Sequence, residues 1–386
     1  MSKAVSMFLW FFSIICMQAD GFAVDFDAAA VSLPLLPHAE SSESDVIRIN
    51  GDGDRIIENR IFRPRKDEYA IQIYNHAHGQ IIIRNCRFYG GSSPAVHGIS
   101  NEHGRGILAW QSSNITVESC YFEYIQGFCV RIMGSVDTPA SNIKVSGNNM
   151  LSLQAYYEKG SEWGWTADAV QFIHVQGPGN SIYGNICMNR PNESYLTDFI
   201  NIYCSSGTAE SPLMVERNIL VGAGAKGMYN QYGCGIQLND HPVDHDGGEY
   251  VTAKDNLLVD PGIVGMNIDG GFSVKMIDNT ILMSNELPTN LRDEPAKTHP
   301  AWAAITLFNY SGGITRDSNH EVRGNRVAFR NAGGTAFINK TSPVNTIIAD
   351  NQWEFTVDWQ VLVESRISMR NAEIAVESSA NPVSTP

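Results

Sequence analysis

Positive charge is scarce in this sequence. Its 386 residues hold 27 Lys and Arg against 41 Asp and Glu, a formal net charge of −14. Sequence-independent binding to nucleic acid needs a basic surface, so this balance argues against it. It argues equally against electrostatic docking on an anionic membrane. Charged residues reach only 18%, whereas there are 34 glycines, a composition that favours β-structure with many turns over helical structure.

Cysteine is also sparse. One of the 7 cysteines, Cys16, lies in the apolar segment near the start, and the others form no C-x-x-C pair. This density is too low for a disulfide scaffold, and we expect most of these thiols to be buried and unpaired. The six are Cys86, Cys120, Cys129, Cys187, Cys204 and Cys234.

Long hydrophobic runs are missing after the first residues. The run from Met7 to Met17 follows Lys3 and precedes the small residues Gly21 and Ala23. It is shorter than the roughly 20 residues that span a bilayer. These features predict a signal peptide over residues 1–23, a lead-in over 24–44, and a secreted or periplasmic protein.

A short motif recurs through the body of the chain. Each copy has an apolar residue, a turn-type residue, Asn, and another apolar pair, at intervals of about one coil plus a loop of variable length. The repeated asparagines are Asn148, Asn185, Asn218, Asn256, Asn279, Asn325 and Asn351. Two earlier copies have Cys86 and Cys120 at the Asn position. The pattern predicts an asparagine ladder, in which each side-chain amide bonds the next coil.

A second motif alternates strictly between these copies. Its third and fifth residues are apolar in nearly every copy, as with Val170 and Phe172 or Ile200 and Ile202. An alternation of period two places those residues on one face of a strand and the intervening ones on the other. A single coil cannot bury its apolar face, but coils stacked about 4.8 Å apart share a continuous core.

Residues 45–358 therefore resemble a right-handed parallel β-helix of the pectate-lyase-like superfamily. The expected fold is all-β, a solenoid of about ten coils with long loops on one side, followed by a polar tail over 359–386. We expect the end of that tail, from Asn371, to be frayed.

The resemblance implies that the alternating strands form the ligand-binding sheet. Their outward residues then form two stripes, one rich in amides and one rich in aromatics, which suit an extended polar ligand. The stripes supply six candidate substrate-binding residues: Arg131, Gln171, Asn201, Tyr203, Gln237 and Asn239. Solvated amides that bind no ligand are the alternative. Long loops rich in aromatic and cationic residues precede several strands and are expected to build a cleft.

Two acidic residues open consecutive copies of the alternating strand. Stacked coils would place the carboxylates of Asp168 and Asp198 about 5 Å apart. Such a pair can share a proton, bind Ca²⁺, or divide acid and base duties. The alternative is that each caps a turn. We predict both residues as catalytic and as a calcium site.

Two further catalytic candidates come from loops. His241 lies in the acidic run from Asn239 to Glu249, and Lys226 lies in the loop before Cys234. β-Elimination from a uronate needs a neutralised carboxylate, a base for the α-proton and an acid for the leaving oxygen. Lys226 and His241 are candidates for base and acid, and the stripes supply groups that could neutralise the carboxylate.

The sequence thus predicts a secreted protein that binds an acidic polysaccharide and cleaves it as a lyase. One alternative is a glycoside hydrolase that uses Asp168 and Asp198 as acid and base, and another is an epimerase, whose chemistry is close to elimination. The run from Asp168 to Phe172 is similar to a polygalacturonase motif, but the adjacent aspartates and the later Gly-His-Gly of that family are missing. Another alternative is a non-catalytic glycan-binding or surface protein, because a fold by itself does not determine function.

Overall fold

The structure is a computed structural model of the whole chain. It describes residues 41–95, 99–157, 165–190, 193–222, 234–240, 248–262, 264–282, 303–307, 318–328, 338–340, 346–353 and 359–380. Within these ranges, and apart from one separate antiparallel pair, the chain passes in turn through three parallel sheets, so that every third strand returns to the same sheet. The molecule is a right-handed parallel β-helix, as predicted.

The strands of each sheet follow chain order. Sheet 1 contains Ser42–Ser44, Arg60–Phe62, Arg87–Tyr89, Tyr121–Glu123, Asn149–Leu151, Ile186–Met188, Ile219–Val221, Leu257–Val259, Thr280–Leu282, Arg326–Ala328 and Gln352–Trp353. Sheet 2 contains Ile47–Asn50, Tyr69–Tyr74, Arg105–Trp110, Phe128–Met133, Asp168–Ile173, Asp198–Tyr203, Cys234–Asp240, Val264–Ile268, Ala303–Leu307 and Ile338–Lys340. Sheet 3 contains Arg55–Glu58, Ile81–Arg84, Ile115–Glu118, Ile143–Ser146, Ser181–Tyr183, Leu213–Glu216, Val251–Lys254, Lys275–Ile277, Glu321–Arg323 and Ile347–Ala349. A separate antiparallel pair joins Tyr156–Tyr157 to Trp165–Thr166.

The core lies between the three sheets and is built from equivalent residues of successive coils. Val170 pairs in register with Ile200, and both are buried. On sheet 1 the rings of Phe62, Phe88 and Phe122 stack face to face, with centroids 4.9 and 4.5 Å apart. Each apolar residue therefore covers its counterpart in the next coil, which no single coil could do alone.

The predicted asparagine ladder is confirmed. Asn185 Nδ2 donates to Asn218 Oδ1 at 3.0 Å, and Asn218 Nδ2 donates to Asn256 Oδ1 at 2.9 Å. The same geometry joins every neighbouring pair from Asn148 to Asn351. The residue before each ladder asparagine has a positive φ, for example 60° at Gly184 and 55° at Arg217. That left-handed turn explains why a turn-type residue precedes Asn in the motif.

Cysteines replace asparagine in the early coils, as the motif indicates. The Cys86 and Cys120 thiols face the backbone carbonyls of Ile57 and Ile83 at 3.6 and 3.7 Å. In later coils an asparagine amide bonds the equivalent carbonyl, as Asn148 Nδ2 does with Val117. Cys86, Cys120, Cys129 and Cys187 are buried free thiols, Cys204 is buried, and Cys234 is half-buried. Burial raises the pKa of the Cys120 thiol well above its usual value.

The expectation of a frayed end from Asn371 is wrong over residues 371–380. The chain forms a helix over Trp359–Ala380. Val363, Ile367 and Arg370 lie on one face of this helix and are buried, the first two against outward apolar residues of sheet 1. Tertiary packing stabilises a helix that its polar composition did not indicate. Residues 381–386 lie outside the described residues.

Among the described residues, no helix combines the length and the hydropathy needed to cross a membrane.

Candidate functional site

The outward residues of sheet 2 form the predicted amide stripe. Arg131 pairs in register with Gln171, Gln171 with Asn201, Asn201 with Gln237, and Gln237 with Asn267. We call these five residues the amide stripe. Arg131 and Gln171 are half-buried, whereas the other three are buried. The stripe is thus more open at its N-terminal end.

An aromatic stripe runs beside the open end. Tyr74, Trp110, Met133, Ile173 and Tyr203 are consecutive register partners. The Trp110 side chain is 40% exposed, and the others are half-buried. Aromatic and apolar surface of this kind can pack against the faces of sugar rings. The aromatic stripe therefore offers a contact surface that runs along the stack of coils.

The predicted place of Asn239 in this stripe is corrected. A register irregularity between Ile202 and Tyr203 puts Asp240 opposite Tyr203. Asn239 adopts a positive φ of 58° and is buried, and its Nδ2 donates to the Gly248 carbonyl at 2.7 Å. A bulge inserts one residue and turns the following side chains, which strict alternation cannot anticipate. Asn239 thus holds backbone in this structure, and its contact with substrate stays a prediction.

The two predicted catalytic aspartates are register partners on adjacent strands. Asp168 is 2% exposed, and its Oδ1 accepts from the Thr197 hydroxyl at 2.8 Å and from the Asp198 backbone N–H at 3.2 Å. Its Oδ2 accepts from Gln171 Nε2 at 2.9 Å. Asp198 is half-buried and accepts from Asn201 Nδ2 at 2.9 Å. Each carboxylate is therefore held by the stripe amide of its own strand.

These contacts settle the direction of the two side chains. Alternation alone would point both aspartates toward the core, where a charge is costly. The bonds to Gln171 and Asn201 instead turn both carboxylates toward the outer face at the start of each strand. Asp168 lies deeper than Asp198, so the pair presents one enclosed and one accessible carboxylate.

Asp269 is a further acidic residue, and it lies at the buried, C-terminal end of the amide stripe. Asp269 Oδ1 accepts from Asn267 Nδ2 at 2.7 Å, and Asp269 Oδ2 accepts from Gln237 Nε2. Asn267 also donates to Gln237 Oε1 at 2.9 Å. The sequence pattern did not mark Asp269 as a site residue. Its spacing of two residues from Asn267 on one strand face was the available signal.

Arg131 provides positive charge at the open end. Its guanidinium carbon lies 4.2 Å from the centroid of the Phe128 ring. Phe128 in turn pairs in register with Asp168. The aromatic ring thus holds a cation one coil away from the enclosed carboxylate, an arrangement stabilised by the attraction between cation and ring.

His174 is a second group that the sequence did not indicate. It follows the strand Asp168–Ile173 with a positive φ of 48°, and its ring meets that of Tyr203 edge to face at 6.2 Å between centroids. The predicted contact residue Tyr203 therefore sits beside an imidazole at the end of the strand.

Lys226 and His241, the loop candidates for acid and base, lie outside the described residues. So does most of the loop sequence around them. Among the residues that the structure describes, no group of three or more His, Cys, Asp or Glu side chains is arranged to hold a metal ion.

The predicted calcium site can be tested against the contacts of Asp168. Calcium binds through oxygen ligands. The two oxygens of Asp168 already accept three hydrogen bonds from protein donors, two of them from N–H groups that cannot bind a cation. Calcium at Asp168 and Asp198 therefore stays a prediction, and no mechanistic step below depends on the ion.

Some solved structures are similar to this chain in overall architecture. No family model and no curated protein matches the sequence. The periplasmic alginate epimerase AlgG has a similar structure, with a TM-score of 0.48 and 10% identity over 79% of this chain and 61% of that one. An alginate lyase from Paenibacillus sp. str. FPU-7 gives a TM-score of 0.40 and 11% identity over 80% of this chain and 88% of that one. A PL6 alginate lyase in complex with a trisaccharide gives a TM-score of 0.40 and 10% identity over 84% of this chain and 81% of that one.

The chain spans less than two thirds of the length of the alginate epimerase, and at these identities the likeness concerns overall architecture only. The class of protein that the structure defines is the parallel β-helix.

Proposed function

We propose that this protein binds an acidic polysaccharide across the outer face of sheet 2 and cleaves it by β-elimination beside Asp198. The observation that carries the proposal is the asymmetric carboxylate pair at the edge of the open face. Asp168 is 2% exposed and its oxygens accept from three donors, whereas Asp198 is half-buried. An accessible carboxylate on a rigid sheet is suited to proton transfer.

The reaction divides between a base and an acid. Asp198 removes the α-proton of a uronate unit, the bond from the neighbouring carbon to the glycosidic oxygen breaks, and a carbon–carbon double bond forms. The leaving oxygen takes a proton from an acid. We propose Lys226 or His241 for that acid, on the basis of residue type and position in the chain.

The enclosure of Asp168 favours elimination over glycoside hydrolysis. Retaining and inverting hydrolases both need two carboxyl groups that reach the substrate or its attacking water. Asp168 is 2% exposed and both of its oxygens are occupied, so it supports Asp198 better than it serves as a second reacting group. Its contacts fit a positioning role, in which it fixes Gln171 and the backbone at Asp198.

Calcium remains a separate prediction. A divalent ion would neutralise the uronate carboxylate if substrate and protein supplied the ligands together. Secretion to the periplasm or the extracellular space is likewise proposed, from the signal peptide predicted over residues 1–23.

The testing experiment incubates the purified protein with polygalacturonate, alginate, glucuronan and glycosaminoglycans, with calcium or with a chelator. Elimination leaves an unsaturated end that absorbs in the ultraviolet, whereas hydrolysis leaves reducing ends without it. Absorbance and reducing ends that rise together support the lyase. A rise of reducing ends alone contradicts elimination in favour of the hydrolase. If neither signal rises while a polymer binds, the protein is a glycan-binding module.

An inactive variant and a matched control complete the design. Asp198→Asn is expected to slow the rise of absorbance by about 100-fold or more. Asp278→Asn changes an exposed aspartate on the far side of the solenoid, at a turn with a φ of 54° that Asn also adopts, and is expected to leave activity unchanged.

A further inference from the structure

The amide donors of the stripe are already in use. Gln171 donates to Asp168, Asn201 donates to Asp198, and Asn267 donates to Gln237 and Asp269. Gln237 also donates to Asp269. Each amide nitrogen that sequence analysis offered for neutralising a uronate carboxylate therefore already serves a protein oxygen. A ligand carboxylate would have to compete with an ionised aspartate for them, and charge-assisted bonds of that kind are the stronger ones.

Arg131 differs from these amides. Within the part of the chain that the structure describes, it forms no ion pair and no hydrogen bond, and its buried Nε has no partner. Its register neighbours are Leu108 and Gln171, neither of which carries charge. A guanidinium has five N–H donors in a planar fork that matches a carboxylate. In a protein with a formal net charge of −14, a half-buried cation with no anionic partner among the described residues is unusual.

The side chain is also held in place. The Arg131 guanidinium lies over the Phe128 ring at 4.2 Å, and that ring meets Tyr156 edge to face at 6.5 Å between centroids. Tyr156 packs in turn under the Arg105 guanidinium at 4.2 Å. Arg105 is paired with Asp67 at 3.0 Å, so its charge is neutralised. Arg105 is therefore part of the packing that holds Arg131 in place. This packing orients the guanidinium of Arg131 before any ligand binds, which lowers the entropic cost of binding.

We propose that Arg131 recognises a uronate carboxylate in the bound polysaccharide and gives the site its selectivity for acidic over neutral sugars. This inference rests on the proposed function, because it assumes that the ligand lies along sheet 2. The strand of Arg131 is two strands away from that of Asp198. At about 4.8 Å per strand the separation is roughly 10 Å along the stack. Arg131 therefore addresses a different sugar unit from the one that loses its proton.

That separation predicts a specific kinetic signature. Loss of Arg131 removes binding energy that substrate and transition state share, so KM rises while kcat stays nearly constant. Loss of Asp198 removes a group that acts in the reaction, so kcat falls. We therefore expect loss of Arg131 to change mainly KM and loss of Asp198 to change mainly kcat.

The test compares Arg131→Met and Arg131→Lys with the unchanged protein. Methionine keeps apolar contact with Phe128, and lysine keeps the charge without the fork. Isothermal titration calorimetry measures binding of polygalacturonate, alginate and glucuronan, each beside the same polymer with its carboxyl groups chemically reduced. The unchanged protein should prefer the acidic form by at least about tenfold, Arg131→Met should lose that preference, and Arg131→Lys should fall between them.

Arg84→Met is the matched control. Arg84 is paired with Glu58 on the outer face of sheet 3, away from the proposed ligand, so its loss should leave the preference intact. An acidic preference in Arg131→Met equal to that of the unchanged protein overturns the inference. If the unchanged protein binds acidic and reduced polymers equally, polysaccharide binding stands and the role of Arg131 is rejected. If it binds no polymer in either form, the proposed function itself fails, and the inference with it.

Discussion

Asp198 donates its backbone N–H to the carboxylate of Asp168, so the two acidic residues are linked directly across adjacent coils, with N and Oδ1 3.2 Å apart. Their side chains nevertheless have different surroundings. Asp168 is enclosed by donors, and Asp198 remains half-buried. The pair therefore separates a structural carboxylate from an accessible one, and the two should respond differently to the same substitution.

Asp198→Asn should remove activity and keep stability. The new side chain can still accept from Asn201, so the fold loses little, whereas loss of the base should lower kcat by about 100-fold or more. Asp168→Asn turns an acceptor-only group into one that also donates, against three existing donors, and should destabilise the fold by about 2 kcal/mol. Turnover and urea unfolding of both variants check this. Equal losses of stability would show that burial does not separate the two roles.

Asn218→Ala should be among the more damaging substitutions in the asparagine ladder. Asn218 is fully buried and donates to the Ile182 carbonyl at 3.0 Å and to Asn256 at 2.9 Å. It also accepts from the backbone and side chain of Asn185, each at 3.0 Å. Removing it leaves several buried polar groups without partners, at about 3 kcal/mol or more. The urea midpoint should fall clearly.

Asn351→Ala tests the same ladder near its C-terminal end. Asn351 is half-buried and donates to the Val322 carbonyl at 3.0 Å. Because solvent can replace part of what is lost there, its cost should be about 1 kcal/mol. A cost as large as that of Asn218→Ala would mean that burial does not govern the contribution of a ladder position.

His320 should make the fold sensitive to acid. Burial lowers its pKa from the ordinary 6.5 to about 4, and its Nδ1 accepts from the Val274 N–H at 3.3 Å. Since the unfolded chain takes up the proton more readily, the stability is complete above about pH 6.5 and is lost as the pH falls toward 4. The loss amounts to about 3 kcal/mol. Urea unfolding from pH 7 to pH 4 measures it, and His320→Gln should remove that part of the pH dependence. An unchanged pH dependence in this variant would place the acid sensitivity elsewhere.

Arg370 should fix the C-terminal helix to the solenoid. Its Nε donates to the Gly184 carbonyl at 3.0 Å and its Nη2 donates to the Gly147 carbonyl. Arg370→Met should release the helix, because two carbonyl bonds to a charged donor are lost, at about 2–3 kcal/mol. Limited proteolysis and binding of a hydrophobic dye would detect the exposed face of sheet 1. Arg366→Met, at a half-buried position of the same helix, should remain protected.

Much of the fold follows from the sequence because a solenoid repeats one local rule. The alternation around Val170 and Phe172 fixes which side chains point inward, and stacking then fixes the register of the amide stripe. The asparagine ladder was predictable for the same reason, since a turn residue followed by Asn recurs in every later coil.

The remaining features depend on contacts between segments. Asn239 lies outside the stripe in which it was predicted, because a bulge opposite Tyr203 shifts the register. The enclosure of Asp168 depends on Thr197, which comes from the following coil and carries no motif. The helix over Trp359–Ala380 depends on packing against sheet 1 rather than on its own composition. None of these is encoded by local periodicity.

The asparagine ladder has a direction. From Asn148 to Asn325, one N–H of each side-chain amide donates to the next asparagine along the chain, so the carboxamide dipoles add from coil to coil. Hydrogen bonds in such a chain polarise and strengthen one another. The ladder therefore has a net dipole along the stack of coils, with partial negative charge toward Asn148 and partial positive charge toward Asn351. The solenoid should then open from its ends, and the slowest amide hydrogen exchange should lie at the central coils.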